Sequence, residues 1–151
     1  MSSSLDDLKA LNLRMLKQFC NCVPAIERTI SYISVCLGKL TPSGTDLASF
    51  AMSPSGEQNP IDVASLNKEY LNYARQVARD INSGFFDGLV ILGINMQQAR
   101  ALARLSNQQI HQLAVYYPGH IFQMSAVANR QMEHELHHKA APHYATGLIA
   151  A

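Results

Sequence analysis

The chain has 151 residues and a nearly balanced charge, with twelve Lys and Arg against eleven Asp and Glu. A formal net charge of +1 excludes a strong long-range attraction of the whole chain for nucleic acid or anionic lipid. Since 48% of the residues are apolar and only 15% are charged, we expect one core, with or without an extension. The low number of charges also favours an oligomer over a monomer.

Three cysteines, Cys20, Cys22 and Cys36, cannot form a disulfide framework or a four-thiolate zinc site. We interpret them as small buried apolar residues of a protein in the reducing cytosol. The first residues lack the character of a secretory signal, and apolar runs such as Leu89–Leu92 are far shorter than the ~20 residues of a membrane span. We expect a soluble, cytoplasmic protein.

The first forty residues carry apolar residues at the spacing of a helix face. They form two runs, one of Leu8, Leu11, Met15, Phe19 and Cys22 and one of Ile26, Ile30, Ile33 and Leu37. Pro24 separates the two runs, and Gly38 ends the second. We therefore predict a kinked helix or two helices in series, which form an N-terminal helical extension over residues 1–40.

The next segment, residues 41–61, has the composition of a linker. Between Thr41 and Pro60 it contains three prolines, two glycines and four serines, without a hydrophobic period. Such a composition is typical of a loop. We expect this linker to separate the extension from a helical domain over residues 62–141, which a flexible tail over residues 142–151 follows.

The helical domain begins with the clearest helical pattern of the chain. Apolar residues recur at helical spacing from Asp62 to Ile81, and Ser83 and Gly84 then end the helix. Our candidate oligomer interface is the apolar face of this helix, formed by Leu66, Tyr70, Tyr73, Val77 and Ile81. The secondary structure of the following segment, Phe85–Leu92, is ambiguous.

Two short helices come next. Gly93 supplies a turn, Asn95 is the N-cap of a helix over residues 96–105, and Ser106 caps a second helix over residues 107–115. A weakly alternating segment, residues 119–124, then predicts a short strand, and residues 125–139 predict a last helix. The fold class is therefore all-α, with one short strand near residues 119–124.

The two short helices are the first candidate functional site, because two helices joined by a tight turn can place the second in the major groove of DNA. The predicted inward residues are Ala99, Leu102, Ala103, Leu105, Ile110, Leu113 and Ala114. The candidate DNA-contacting residues are Asn107, Gln108, Gln109, His111, Gln112, Arg100 and Arg104. Amides and imidazoles hydrogen-bond to base edges, and residues 88–132 contain no Asp or Glu. The alternative is a solvated helical hairpin.

A second candidate site is His134-Glu135-Leu136-His137-His138, which matches the pattern His-Glu-x-x-His on a predicted helix. Histidines four residues apart can bind one Zn²⁺, and the glutamate can take a proton from the bound water. His143 is the candidate third ligand, although Pro142 intervenes. Four histidines between residues 134 and 143 also fit adventitious metal binding or a solvated helix end.

Several short motifs between residues 66 and 124 belong together. They are Asn67-x-x-Tyr70-Leu71-x-x-Ala74, Leu92-Gly93-Ile94-Asn95, Ala99-x-x-Leu102-x-x-Leu105-Ser106 and Leu113-Ala114. This combination resembles the FlhD family of flagellar transcriptional regulators. The resemblance implies an all-helical, dimer-forming subunit with a helix-turn-helix-like segment. It also implies a hetero-oligomer with FlhC, a zinc-containing partner that supplies much of the DNA contact.

The chain departs from that family in three respects. Residues 1–60 precede the matching helix, near which chains of the family begin, and about three extra residues lie between Ala78 and Leu92. The family's dimer-linking cysteine falls near Ile121, so this chain cannot form the same disulfide. The set of regulated genes therefore cannot be taken over from the family.

We expect a non-enzymatic subunit of a transcriptional regulator, active as a homodimer or larger oligomer. An FlhC-like partner would join it, and promoter DNA would be bound through the complex. We expect no cofactor and no membrane contact. Two alternatives stay open: a small zinc-dependent hydrolase that uses His134, Glu135 and His138, and a helical adaptor that binds only proteins.

Overall fold

The structure, a computed structural model, describes residues 2–19, 35–82 and 87–124 of the chain. Its elements are α1 (Ser2–Phe19), β1 (Gly38–Leu40), α2 (Gly44–Met52), α3 (Ile61–Asn82), α4 (Asp87–Leu92), α5 (Met96–Ala103), α6 (Asn107–Tyr116) and β2 (Phe122–Met124). The protein is mainly helical with a small antiparallel sheet, which confirms the predicted fold class. None of the helices in these ranges is long and apolar enough to cross a membrane.

The long helix α3 is the centre of the fold, and its bounds confirm the helix predicted from Asp62 to Ile81. The helices α1, α4, α5 and α6 all pack against it. It therefore buries more than one face, and its buried apolar residues are Leu66, Tyr70, Leu71, Ala74, Val77, Ala78 and Ile81. Because full burial of a large apolar side chain contributes about 1.5–3 kcal/mol, α3 is the main support of the elements around it.

The predicted oligomer interface on α3 is part of the chain's own core. Leu66 and Tyr70 are fully buried, Val77 and Ile81 are nearly so, and Tyr73 is partly buried against the core. The buried residues of α1 belong to the same cluster. A surface that the chain's own helices cover is not available to a second subunit. The structure therefore assigns Leu66, Tyr70, Val77 and Ile81 to the chain's own core, whereas the partly buried Tyr73 lines the groove between α1 and α3.

Three residues of the first predicted apolar run, Leu8, Leu11 and Met15, are buried on one face of α1, whereas Phe19 is exposed. The buried residues of this helix are Leu8, Leu11, Asn12, Met15 and Leu16. Asn12 Oδ1 accepts a hydrogen bond from the Leu37 N–H at 2.8 Å, and Asn12 Nδ2 donates to the Val35 carbonyl at 2.9 Å. This side chain therefore ties α1 to the segment before β1. Cys20, Cys22 and most of the second predicted run lie outside the described residues.

The predicted linker contains a helix, α2, so the prediction of a loop is wrong for this part. Ser43 caps the helix, and Leu47 and Ala51 are its buried apolar residues. The helix packs on α5 and α6. With so few buried positions, a helix of this length shows no clear period in the sequence. Gly44 allows close packing on α5, because a Cβ atom there would lie 2.6 Å from the Gln97 carbonyl oxygen.

The small sheet pairs two distant segments of the chain. Leu40 of β1 lies opposite Phe122 of β2 in an antiparallel register, and β2 confirms the strand predicted near residues 119–124. The preceding residue Leu37 is buried but not helical, so the second predicted run does not continue to it as a helix. Burial raises the pKa of the nearby Cys36 thiol to about 12, in agreement with its interpretation as a buried apolar residue.

Within the ambiguous segment, residues 87–92 form the short helix α4, and residues 85 and 86 lie outside the described ranges. Gly93 has a φ of +64°, which glycine adopts without steric cost. The Ile94 N–H donates to the Leu89 carbonyl at 3.1 Å, and the Gly93 N–H donates to the Val90 carbonyl at 3.2 Å. This pair of hydrogen bonds is a Schellman motif. The turn predicted at Gly93 is therefore confirmed, and it directs the chain into α5.

Candidate functional site

The helices α5 and α6 are separate, and each begins with its own capping box. At α5, the Asn95 Oδ1 accepts from the Gln98 N–H at 2.8 Å, and the Gln98 Oε1 accepts from the Asn95 N–H at 3.1 Å. At α6, the Ser106 Oγ and the Gln109 Oε1 make the equivalent hydrogen bonds at 3.1 and 2.9 Å. Each box pairs N–H donors that the start of a helix leaves unpaired. Both predicted N-caps are confirmed.

The capping box changes the role of Gln109, which we predicted to contact DNA. Its side-chain oxygen accepts the Ser106 N–H, and the side chain is partly buried. Reading an adenine edge requires both the oxygen and the nitrogen of a glutamine amide. The structure therefore assigns Gln109 to the start of α6 rather than to the DNA-facing surface.

Both short helices pack mainly on α3 and α2. The predicted inward residues Ala99, Leu102, Leu105, Ile110, Leu113 and Ala114 are buried. Ala103 is partly buried against the same core. Since α5 and α6 pack on the same two helices, their relative orientation is fixed by the core. It does not depend on the short turn between them.

The carboxyl end of α6 is held by two asparagines from other parts of the chain. The buried Asn67 of α3 donates to the carbonyls of Ala114 and Gly119 at 3.2 and 2.9 Å, and it accepts from the Ile121 N–H at 2.9 Å. Asn59 donates to the Ala114 carbonyl at 3.0 Å and accepts from the Gly119 N–H at 3.0 Å. The helix is therefore fixed at both ends, which keeps its free side chains in a constant position.

The outward face of α6 consists of Asn107, Gln108, His111 and Gln112. The first three are exposed and Gln112 is partly buried. Gln108 and Gln112 are one helical turn apart and His111 lies beside them, so the three side chains share one side of the helix. Two amides and an imidazole on one face supply both donors and acceptors, which is the chemistry needed to bind base edges.

Arg100 lies on α5 and Arg104 is the C-cap residue one turn further on, and both are exposed. They line a groove of about 530 Å³ between α2 and α5. The other lining residues are uncharged and mostly small. The salt bridge found within the described ranges joins Arg14 and Glu69. Neither Arg100 nor Arg104 is therefore paired with a carboxylate in those ranges. Within those ranges, two unpaired guanidinium groups therefore lie beside the helix pair.

Two further arginines, absent from the candidates that the sequence suggests, reach the helix pair from α3. Arg75 Nη1 and Arg79 Nη2 donate to the same acceptor, the Leu105 carbonyl oxygen, at 3.2 and 3.4 Å. Arg79 Nε also donates to the Ala103 carbonyl at 3.2 Å. Partial burial and the neighbouring Arg79 lower the pKa of Arg75. In the sequence, the two arginines are visible only as a pair at positions i and i+4 of a predicted helix. The carbonyl groups that they bind lie 24 to 30 residues away, so the sequence does not indicate this contact.

The second candidate site lies outside the described residues. This applies to His134, Glu135, His138 and His143, as well as to the predicted helix over residues 125–139. Within the ranges that the structure describes, no group of three or more His, Cys, Asp or Glu side chains could hold a metal ion.

The fold defines the class of protein: a small, mostly helical domain that holds two capped short helices on one long helix. Comparison of the chain with protein-family models, with curated proteins and with solved structures found no match. The residues that carry the resemblance to the FlhD family are mostly buried or capping residues. These residues hold the helix pair in place. The resemblance therefore says little about the side chains on the surface of the pair, whose function is argued from their own chemistry.

Proposed function

We propose that the protein is a non-enzymatic, FlhD-like subunit of a transcriptional regulator and that α6 contacts promoter DNA. The observation that carries the proposal is the outward face of α6, where Gln108 and His111 are exposed on a helix that is fixed at both ends. The described stretch from residue 88 to residue 124 contains no Asp or Glu. A phosphate backbone would therefore meet no negative side chain on the helix pair itself.

In the proposed complex α6 lies in the major groove, which is about 12 Å wide and admits a helix. The amides of Gln108 and Gln112 each pair with an adenine edge, and His111 donates to a guanine or accepts from a cytosine. Asn107 lies at the positive N-terminal end of the helix and contacts the sugar-phosphate backbone. Arg100 and Arg104 add phosphate contacts from the α5 side.

The nearly neutral net charge makes this subunit a weak DNA binder by itself, because most of the affinity for DNA comes from neutralised phosphates. We therefore propose that it acts in a homo- or hetero-oligomer, in which an FlhC-like partner supplies further positive charge. The subunit contact would use surface other than the covered face of α3.

The test begins with selection of bound sequences from a random pool of duplexes at about 50 mM salt, where phosphate contacts are strong. The dissociation constant of the selected duplex is then measured by fluorescence anisotropy for the wild-type chain and for the Gln108→Ala/Gln112→Ala variant. We expect the variant to bind at least about tenfold more weakly, because each bidentate base contact contributes about 1–3 kcal/mol. Light scattering should show an unchanged oligomer mass.

The matched control is Gln76→Ala/Gln123→Ala, which removes two exposed glutamines from α3 and β2. This variant should bind like the wild type. Equal affinities of the wild type and the Gln108→Ala/Gln112→Ala variant would contradict the proposal. So would a selection that enriches no sequence, an outcome that favours a helical adaptor.

A further inference from the structure

A pair of guanidinium groups lies at the turn between α5 and α6, and both groups belong to α3. Arg75 and Arg79 converge on the Leu105 carbonyl oxygen, at 3.2 and 3.4 Å. Leu105 is the residue directly before the N-cap of α6, Ser106. The two arginines are therefore held next to the N-terminal end of the proposed DNA-contacting helix.

The arginine pair has more hydrogen-bond donors than it uses. Each guanidinium group has five N–H donors. In the described part of the chain, Arg75 donates to Leu105 and, at 3.5 Å, to Asn72 Oδ1, while Arg79 donates to Ala103 and Leu105. Most of the donors therefore have no protein acceptor within those ranges.

The charges of the pair are also uncompensated within the described ranges. The ion pair there is Arg14–Glu69, and neither Arg75 nor Arg79 is paired with a carboxylate. Two neighbouring positive charges repel each other. Partial burial and, to a smaller extent, the charge of Arg79 lower the pKa of Arg75. An anion bound between them would relieve the repulsion and take up the remaining donors.

We infer that Arg75 and Arg79 form a binding site for a phosphodiester group of the DNA backbone. The inference rests on the proposed function. Arginine is suited to this role because its planar group donates two parallel hydrogen bonds to one phosphate. Both side chains are tied to the carbonyl that precedes α6, so a bound phosphate sets the register of α6 on the duplex. The pair positions the helix and reads no base.

The experiment measures the salt dependence of DNA binding. Dissociation constants are determined by anisotropy between about 50 and 200 mM salt, for the selected duplex and for an unrelated duplex. The chains compared are the wild type, Arg75→Gln/Arg79→Gln, Arg75→Lys/Arg79→Lys and the control Lys17→Gln/Lys39→Gln. The control removes two exposed positive charges from α1 and β1, which are not among the elements on which the helix pair mainly packs.

We expect the glutamine variant to reduce the slope of log K against log salt by about 0.9 for each phosphate that it no longer binds. Its affinity should fall by the same factor for both duplexes. The lysine variant should keep the slope, since the charge is retained, and the control should behave like the wild type. By contrast, Gln108→Ala/Gln112→Ala should weaken only the selected duplex and leave the slope unchanged.

Three results would overturn the inference. A glutamine variant with a lower melting temperature and an unchanged slope would show that the arginines only close the C-terminal end of α5, and it would leave the proposed function standing. A wild-type chain that is stabilised by inorganic phosphate in an Arg75- and Arg79-dependent way, with no effect of the variants on DNA binding, would show a site for a small phosphate instead. A wild-type chain that binds neither duplex would overturn the proposed function and this inference together.

Discussion

Single asparagine side chains decide how the loops of this protein are held. Asn12 joins α1 to the segment before β1. Asn59, just before α3, and Asn67, on α3, hold the end of α6. An amide has both donors and acceptors, so it can pair backbone groups that no helix or sheet satisfies. In the sequence these residues look like ordinary polar positions of a helix or loop. Their roles depend on partners 23 to 60 residues away, which a local pattern does not contain.

The Asn67→Ala variant tests this role directly. The substitution removes three hydrogen bonds and leaves the buried Ile121 N–H without its partner, whereas the Ala114 and Gly119 carbonyls still accept from Asn59. We expect the free energy of unfolding to fall by about 1–3 kcal/mol, because a buried group left unpaired costs about 1–3 kcal/mol. Urea unfolding followed by circular dichroism measures the change. The control Asn72→Ala, at an exposed position of α3, should change the stability by less than about 0.5 kcal/mol. Equal losses in the two variants would contradict the account.

His120 gives the fold a predictable dependence on pH. Its ring packs between Phe19 and Phe122, with centroid distances of 4.8 and 5.4 Å, and its Nε2 lies 2.8 Å from the Gln18 Nε2. An amide nitrogen donates, so this contact is a hydrogen bond when the imidazole is neutral and its Nε2 accepts. Burial lowers the pKa of His120 below 6.5, and Asp62 offsets part of this effect.

Because its pKa is lower in the folded state, His120 binds more protons in the unfolded state. The stability it contributes is therefore present above pH 6.5 and decreases as the pH falls below that value. Thermal unfolding between about pH 7.5 and 5 should show a steeper loss of stability for the wild type than for His120→Gln. Parallel curves for the two chains would refute the role of this histidine.

At the scale of elements, long patterns and capping residues are predictive, and short elements are not. The sequence predicts α3, α5 and α6 because they combine a helical period with N-cap residues or clear ends. It does not predict α2 and β1, since their existence depends on contacts such as Gly44 with Gln97 that join distant parts of the chain. The outward face of α6 can be predicted from the helical period alone. The position of Arg75 and Arg79 cannot be predicted in this way, because only the packing of α3 on the turn before α6 brings them to the site.

The contact between α4 and α3 depends on a glycine. A Cβ atom at Gly88 would lie 2.7 Å from the Val77 Cγ1 and 2.8 Å from the Ile81 Cγ1. Gly88→Ala should therefore destabilise the protein by about 1–3 kcal/mol through overpacking, although alanine favours a helix by about 1 kcal/mol over glycine. Urea unfolding provides the measurement.

A double-mutant cycle with Val77→Ala identifies the cause of that loss. Removing the Val77 methyl groups makes room for the new Cβ, so Gly88→Ala should cost less in the Val77→Ala background than in the wild type. A Gly88→Ala chain as stable as the wild type, or a cost that is independent of Val77, would contradict the close packing of α4 on α3.

At the scale of the whole molecule, the charges are distributed unevenly although they nearly cancel. The groove between α1 and α3 is lined by charges of both signs, three acidic residues (Asp7, Glu69 and Asp80) and three basic ones (Arg14, Lys68 and Arg75). Within the described ranges, the helix pair has unpaired arginines and, from residue 88 to residue 124, no carboxylate side chain. The overall charge of +1 therefore does not describe the helix pair, whose described charged side chains are all positive and suit DNA. The weak net field is also the reason that the proposed function includes an oligomer.

The measurement that tests the central proposal most directly is mapping of the DNA-contacting surface by NMR. The ¹⁵N-labelled chain is titrated with the selected duplex, and the backbone amide signals are followed residue by residue. We predict that shift changes concentrate between Arg104 and Gln112, with Gln108 and His111 among the most affected, while α1 is unchanged. Changes centred on the groove between α1 and α3, or none on α6 at saturation, would contradict the proposal.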